Sequence, residues 1–270
     1  MNVEEAKATL RRVDRKNYPE LHAYSDEAIW KDSGGPGGLY LAAKMSRELN
    51  LREGDVVLDL GCGLGESSVF LAKHFGLQVI AVDLWHETVL LHEKFTRRGF
   101  RSRIVPLNLD ARRPLPFAEG YFDAVFCMNA LSFFGGDVES LRRLTKYLRQ
   151  GGVFCAGGEC MSKEFSPEQL ANPPEVYSFV EGIWENDFLR LHSPAWWERL
   201  FKDSGVLEAK KCGELDDGVI LHEEKILAKS PEGYLGLSPA QAQEIEMRQI
   251  LYGREHEPHM TVFIIAASKK

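Results

Sequence analysis

Several things are scarce in this chain of 270 residues. Cysteine occurs five times, at Cys62, Cys127, Cys155, Cys160 and Cys212, and never as C-x-x-C. That spacing offers no metal site, and scattered, odd-numbered thiols read as reduced, as in a cytoplasmic protein. His222-Glu223-Glu224-Lys225-Ile226 fails the H-E-x-x-H pattern at Ile226, so no zinc protease is implied. No apolar run approaches a membrane span, and no membrane partner is expected. Positive charge is not in excess: the net charge of −7 argues against a nucleic-acid-binding surface. The opening residues Met1-Asn2-Val3-Glu4-Glu5 lack the basic-then-apolar order of a signal peptide. Internal repeats and low-complexity tracts are missing too, which removes solenoids and arrays from consideration.

What is present begins with apolar content, 44% of the chain, enough for a large core. Residues 56–60 form an apolar run broken only by Asp59, and Gly61, Gly63 and Gly65 alternate directly after it. The run reads as a buried strand and the glycines as a tight turn that a ligand can approach closely. Apolar residues from Leu64 to Phe75 then suit a helix packed on a sheet. Strand–helix alternation continues: strands at 79–83, 103–107, 122–128 and 153–156, helices at 86–98 and 138–148. The third glycine of a dinucleotide fingerprint would fall on Glu66, so G-x-G-x-x-G fails and a nicotinamide-dependent dehydrogenase is disfavoured. Asp83 and Asp110 instead place acids at the ends of the next two strands.

This set resembles the class I S-adenosylmethionine-dependent methyltransferases, in a type 11-like, small-molecule branch. The matching pieces are Val57 to Gly65, Asp83, Asp110, Pro116-Phe117 with Tyr121 to Val125, and Leu148 to Gly152, in the family's order over about half of the chain. The resemblance implies an α/β fold. Its doubly wound, mostly parallel seven-stranded sheet would have an antiparallel final strand, helices on both faces and a helical N-terminal lid. It also implies S-adenosyl-L-methionine as cofactor and S-adenosyl-L-homocysteine as product. On that footing Asp59, Gly61, Gly63 and Gly65 line the methionyl and ribose parts and Asp83 accepts from the ribose hydroxyls. Leu84 flanks the adenine together with Trp85, for which core or lid is the alternative, Asp110 and Ala111 meet its amino edge, and Asn129 sits near the methionyl end. Asp32 to Gly38 is a glycine-rich loop in the segment that closes over the cofactor in relatives, with Gly35 as a backbone donor and Trp30 or Tyr40 as a shield.

The chain is expected to be one domain. Residues 1–50 would form the lid, with helices at 2–16, 20–30 and 39–49; 51–160 would bind the cofactor, and 161–270 would shape the substrate side. Within the last part, an aromatic insertion at 161–192 is expected either to wall a pocket or to form a satellite core. A helix at 194–204 and strands at 206–215 and 261–267 resemble the family's closing hairpin, interrupted by an insertion at 216–258 with a helix at 239–251. Glu159, just after the fifth strand, and His192, before the helix at 194, are the candidate catalytic bases; His22 and His222 are weaker ones. A small molecule is the expected acceptor. Acidity argues against tRNA or DNA, and Met128-Asn129-Ala130-Leu131 stands where adenine-base methyltransferases carry N-P-P-Y. The acceptor atom stays open, and a non-catalytic cofactor-binding protein or partner subunit is the alternative.

Overall fold

The computed structural model describes residues 3–32, 35–228 and 236–270. Ser33 and Gly34 of the glycine-rich loop, and part of the 216–258 insertion, lie outside the described residues.

Short helices α1 (Val3–Lys7), α2 (Asp26–Trp30) and α3 (Gly38–Ser46) precede the sheet. The alternating unit follows as β1 (Val56–Leu60), α4 (Glu66–Phe75), β2 (Gln78–Asp83), α5 (Thr88–Arg97), β3 (Ile104–Asn108), β4 (Phe122–Met128), α6 (Val138–Thr145) and β5 (Leu148–Met161). The aromatic insertion holds α7 (Pro167–Ala171) and α8 (Ile183–Asn186), with single 3-10 turns between and after them. Then come α9 (Pro194–Asp203), β6 (Leu207–Glu214), α10 (Gly218–Ala228), α11 (Pro239–Gly253) and β7 (Met260–Lys269).

The sheet order is β3-β2-β1-β4-β5-β7-β6. β1 to β5 run parallel, and β7 runs antiparallel to both β5 and β6. This is the expected doubly wound sheet. One core cluster gathers Tyr40, Phe70 and Phe126; the other gathers Phe122, Trp197 and Phe201. Local signals explain the boundaries. Gly65 adopts a left-handed φ of 79° at the entry to α4, and an added Cβ there would meet Phe95 at 2.4 Å. Ser193 caps α9 by accepting from Trp196 N, with Pro194 at the first position. Ser238 and Gln241 form a reciprocal capping box on α11.

The N-terminal segment departs from expectation. The helix predicted over 2–16 stops at Lys7, and the one predicted over 20–30 is confined to α2 after a 3-10 turn. The reason lies across the chain, on α10. Glu223 and Glu224 are consecutive and buried. Glu223 accepts from Arg11 N at 2.6 Å and from the Arg11 guanidinium at 2.9 Å, while Glu224 accepts from Val13 N. Tyr18 donates to Asp217 and Tyr40 to Glu224. Backbone N–H groups that a helix would have used are drawn to buried carboxylates, so the chain runs as a strap. Charge-assisted bonds to buried groups are stronger than a marginal surface helix.

Asp59 is fully buried inside β1 rather than facing solvent. Its Oδ2 accepts from the Ser67 and Ser68 hydroxyls at 2.7 and 2.6 Å, and its Oδ1 has no partner. Burial pushes its pKa up to about 6 against those two hydrogen bonds. The folded state therefore holds a proton that the unfolded chain has already released, and stability falls as pH rises through the window between the two pKa values. Urea unfolding of Asp59→Asn should gain on the parent between pH 4 and 7 by roughly 3 kcal/mol. A difference that stays constant across that window contradicts this placement.

Candidate functional site

At the carboxyl edge of the parallel strands the chain encloses a cavity of about 1040 Å³. That lies at the upper end of the roughly 300–1,000 Å³ typical of small-ligand sites. Its first half is built by the loops after β1, β2, β3 and β4. Gly61, Cys62, Gly63 and Leu64 line it, with Asp83, Leu84, Asp110, Ala111 and Asn129. Gly35 and Pro36, from the loop before α3, close this half.

Each position has a local cause. Gly61 N and Cys62 N both donate to Val82 O, at 2.8 and 3.1 Å, which folds the turn back over β2. At Gly61 (φ 72°) an added Cβ would lie 2.3 Å from that of Ala130. Asp83 is 6% exposed and occupies both carboxylate oxygens: Oδ2 accepts from Gly63 N at 2.9 Å, and Oδ1 from Trp85 N and His86 N at 2.8 and 3.1 Å. A carboxylate has about four lone-pair sites, so acceptor capacity remains toward the cavity. Asp110 is paired with Arg112, whose Nε lies 2.9 Å away; that bond and the backbone N–H of Arg112 hold its pKa below the usual carboxylate range. Asn129 adopts a left-handed φ of 55° at the end of β4. Its Nδ2 donates to Pro36 O at 3.1 Å, tying the glycine-rich loop to the sheet, while its Oδ1 is buried without a partner.

The second half is built by β5, the aromatic insertion and the helices α10 and α11. Glu159 lies deep in the chain, yet 30% of its side-chain surface faces the opening. Burial pushes its pKa up to about 7. His222 Nδ1 stands 3.5 Å from Glu159 Oε1. Burial, reinforced by the Lys225 charge, lowers the His222 pKa to about 4, so near neutral pH the imidazole is uncharged and the two are neighbours rather than an ion pair. Lys225 pairs with Glu246 at 2.9 Å. Phe179, Ile183, Phe188, Ile226 and Ile250 supply apolar wall, and Arg190 pairs with Asp187 while lying over the Phe133 ring at 4.3 Å. Among the described residues no cluster of His, Cys, Asp and Glu is arranged to hold a metal ion.

Residues 57–152 match the family model described as a methyltransferase domain. Over that stretch the chain is similar to a methyltransferase domain, and its sheet order is that of the Rossmann-like methyltransferase fold. The curated relatives are distant. O-methyltransferase resE of Aspergillus sclerotiorum is 24% identical over 154 residues, covering 55% of the chain and 58% of the relative. Phosphoethanolamine N-methyltransferase 1 of Arabidopsis thaliana is 22% identical over 210 residues, covering 73% of the chain and 40% of the relative. The chain thus spans less than two thirds of the length of either relative. Among solved structures, geranyl diphosphate C-methyltransferase from Streptomyces coelicolor A3(2), in complex with Mg2+, geranyl diphosphate and S-adenosyl-L-homocysteine, superposes with a TM-score of 0.66. It is 18% identical, with 97% of the chain and 90% of that structure covered, and establishes likeness of fold.

Three of the expected cofactor residues stand away from the cavity lining. Trp30 is 2% exposed and packs edge-on to Tyr40 in the core, its ring against Gly38 and outside the cavity lining. Asp59 points at Ser67 and Ser68, and Gly65 faces Phe95, so both shape the turn without lining the opening. His192 also stands away from the cavity: its ring stacks on Trp196 at 3.7 Å and its Nδ1 meets Glu164 at 2.9 Å. Glu164 binds Ser193 as well, so this cluster anchors the start of α9.

Lys225, Gln243, Glu246 and Gln249 line the cavity although sequence reasoning did not single them out. A signal existed in 218–228. His222 and Lys225 are three apart on one helical face, between the apolar flanks 219–221 and 226–228.

Gly61→Ala should disturb the turn directly. The new methyl group must displace Ala130, at a cost of about 1–3 kcal/mol. Thermal unfolding measures that loss, and a melting temperature equal to the parent's contradicts the packing described.

Proposed function

We propose that this protein binds S-adenosyl-L-methionine in the first half of the cavity and transfers its methyl group to a small molecule held in the second. The observation that carries the reading is the convergence of Gly61, Gly63, Asp83, Asp110 and Asn129 on one open edge of the sheet. The donor set matches the cofactor's chemistry. The spare acceptor capacity of Asp83 suits ribose hydroxyls. Leu84 and Ala111 offer apolar faces to an adenine ring, and Asp110 is our candidate acceptor for its amino group. The unpartnered Oδ1 of Asn129 suits an ammonium donor, and Gly35 brings backbone beside it.

The cofactor supplies an electrophilic methyl on a sulfonium. The protein's residues position, desolvate and deprotonate. Holding acceptor and methyl in line can remove on the order of 7–11 kcal/mol of barrier. Glu159 is the candidate general base: it faces the second half of the cavity, with a pKa of about 7. His222 stands behind it. His192, held by Glu164 and Trp196, takes no part. The acceptor is a small molecule.

Calorimetry with S-adenosyl-L-homocysteine tests the reading. The parent should bind. Asp83→Ala should lose roughly 2–4 kcal/mol of binding, the scale for a charged acceptor facing two hydroxyls. Absence of binding by the parent, or an Asp83→Ala dissociation constant within twofold of it, overturns the assignment. Transfer of a labelled methyl group to a metabolite extract then separates an enzyme from a non-catalytic binder. If Glu159 is the base, kcat/KM should rise tenfold per pH unit below about 7 and level above it. Glu159→Gln should abolish that rise, and a profile unchanged by the substitution removes Glu159 from the role.

A further inference from the structure

The second half of the cavity carries an imbalance of charge that bears on what it accepts. Among the described residues, the carboxylates on this side are Glu159, Asp187 and Glu246, and the cations are Arg190 and Lys225. Arg190 is matched by Asp187, and Lys225 by Glu246 at 2.9 Å. The remaining wall cations, Lys31 and Arg112, belong to the loops around the cofactor half. Glu159 is left with only His222, 3.5 Å away and uncharged near neutral pH. A carboxylate removed from water without a cation is costly, and it either takes up a proton or awaits a positive partner. The rings of Phe179 and Phe188 line the same cavity. Aromatic walls accommodate an ammonium ion, through their ring faces, better than they do an anion.

We propose that the methyl acceptor is an amine borne on an apolar body, received as its ammonium ion by Glu159, and that phosphate-bearing acceptors are refused. This rests on the methyltransferase reading above. A phosphate or diphosphate would bring two or more negative charges to a wall whose cations are already neutralised and whose extra charge is itself negative. An ammonium ion brings the missing partner. The chemistry balances. The ammonium gives one proton to the Glu159 carboxylate and becomes a neutral amine. Its lone pair forms the new N–C bond as the C–S bond breaks, and the electron pair of that bond stays on sulfur as a thioether. Burial assists the proton transfer from both sides, since it raises the pKa of a carboxyl group and lowers that of an amine. The charged or titratable groups that interact with Glu159 are His222, Lys225, Glu246, Asp187, Tyr177 and Cys160, the last two uncharged near neutral pH. Two of them offset each other, so the amine meets a field dominated by Glu159.

Three probes with one body and different heads test this: 2-phenylethylamine, 2-phenylethanol and 2-phenylethyl phosphate. Each is titrated calorimetrically into protein saturated with S-adenosyl-L-homocysteine. The amine should bind at least tenfold more tightly than the alcohol, and the phosphate most weakly. Glu159→Gln should bring amine and alcohol within twofold of each other, and Glu159→Asp should restore part of the preference. A parental melting temperature for both variants shows that they fold. Phosphate binding as tight as the amine's overturns the proposal. So does failure of all three probes to bind, or an amine preference that survives Glu159→Gln. If Glu159→Gln instead weakens S-adenosyl-L-methionine relative to S-adenosyl-L-homocysteine and leaves the preference intact, Glu159 serves the sulfonium and the proposal falls. Failure of S-adenosyl-L-homocysteine itself to bind is a different result: it removes the methyltransferase reading on which the proposal stands.

Discussion

The carboxylate of Asp83 is the constraint on which the ligand-binding edge depends. It ends β2 and accepts three backbone N–H groups, from Gly63 on one side and from Trp85 and His86 on the other. Its own carbonyl accepts from Leu109 N at 3.0 Å, so the loop after β3 is drawn in as well. Three crossover connections therefore meet at one residue. Charge-assisted hydrogen bonds of this kind are strong and directional, and they hold the glycine turn in place before any ligand arrives. A preformed site spares the ligand the cost of ordering a loop.

The rest of the chain adds a wall that a bare alternating sheet lacks. α10 contributes His222 and Lys225 to the cavity, while its buried carboxylates, Glu223 and Glu224, grip the N-terminal strap. Burial alone would raise the Glu223 pKa, but hydrogen bonds from Arg11 and Arg254 bring it below the usual range. The same N-terminal segment continues through α2 into the loop whose Pro36 carbonyl accepts from Asn129. The N-terminal segment is thus bound to α10 at one end and, through Pro36, to the end of β4 at the other.

The alternating half was legible in sequence because each signal there has a single physical meaning. An apolar run ending at Gly61 is a buried strand and its exit, and acids at Asp83 and Asp110 mark strand ends. Trp30 and His192 were harder. Residue type alone suggested an aromatic shield and a base, but direction is set by packing against Tyr40 and Trp196. α10 was illegible for a different reason. Four polar or charged residues in a row, His222 to Lys225, read as a solvated face, whereas the fold buries His222, Glu223 and Glu224 and gives the two carboxylates partners more than 200 positions away, on Arg11 and Val13. Long-range partners of that kind leave no periodic trace. The predicted helix over 2–16 failed through the same interaction, seen from its other end.

A crystal structure grown with S-adenosyl-L-homocysteine tests the central claim most directly. The account predicts ribose oxygens on Asp83, the adenine between Leu84 and Ala111, and the sulfur facing the half of the cavity that holds Glu159. Density for the ligand elsewhere, or a sulfur turned away from Glu159, would contradict it.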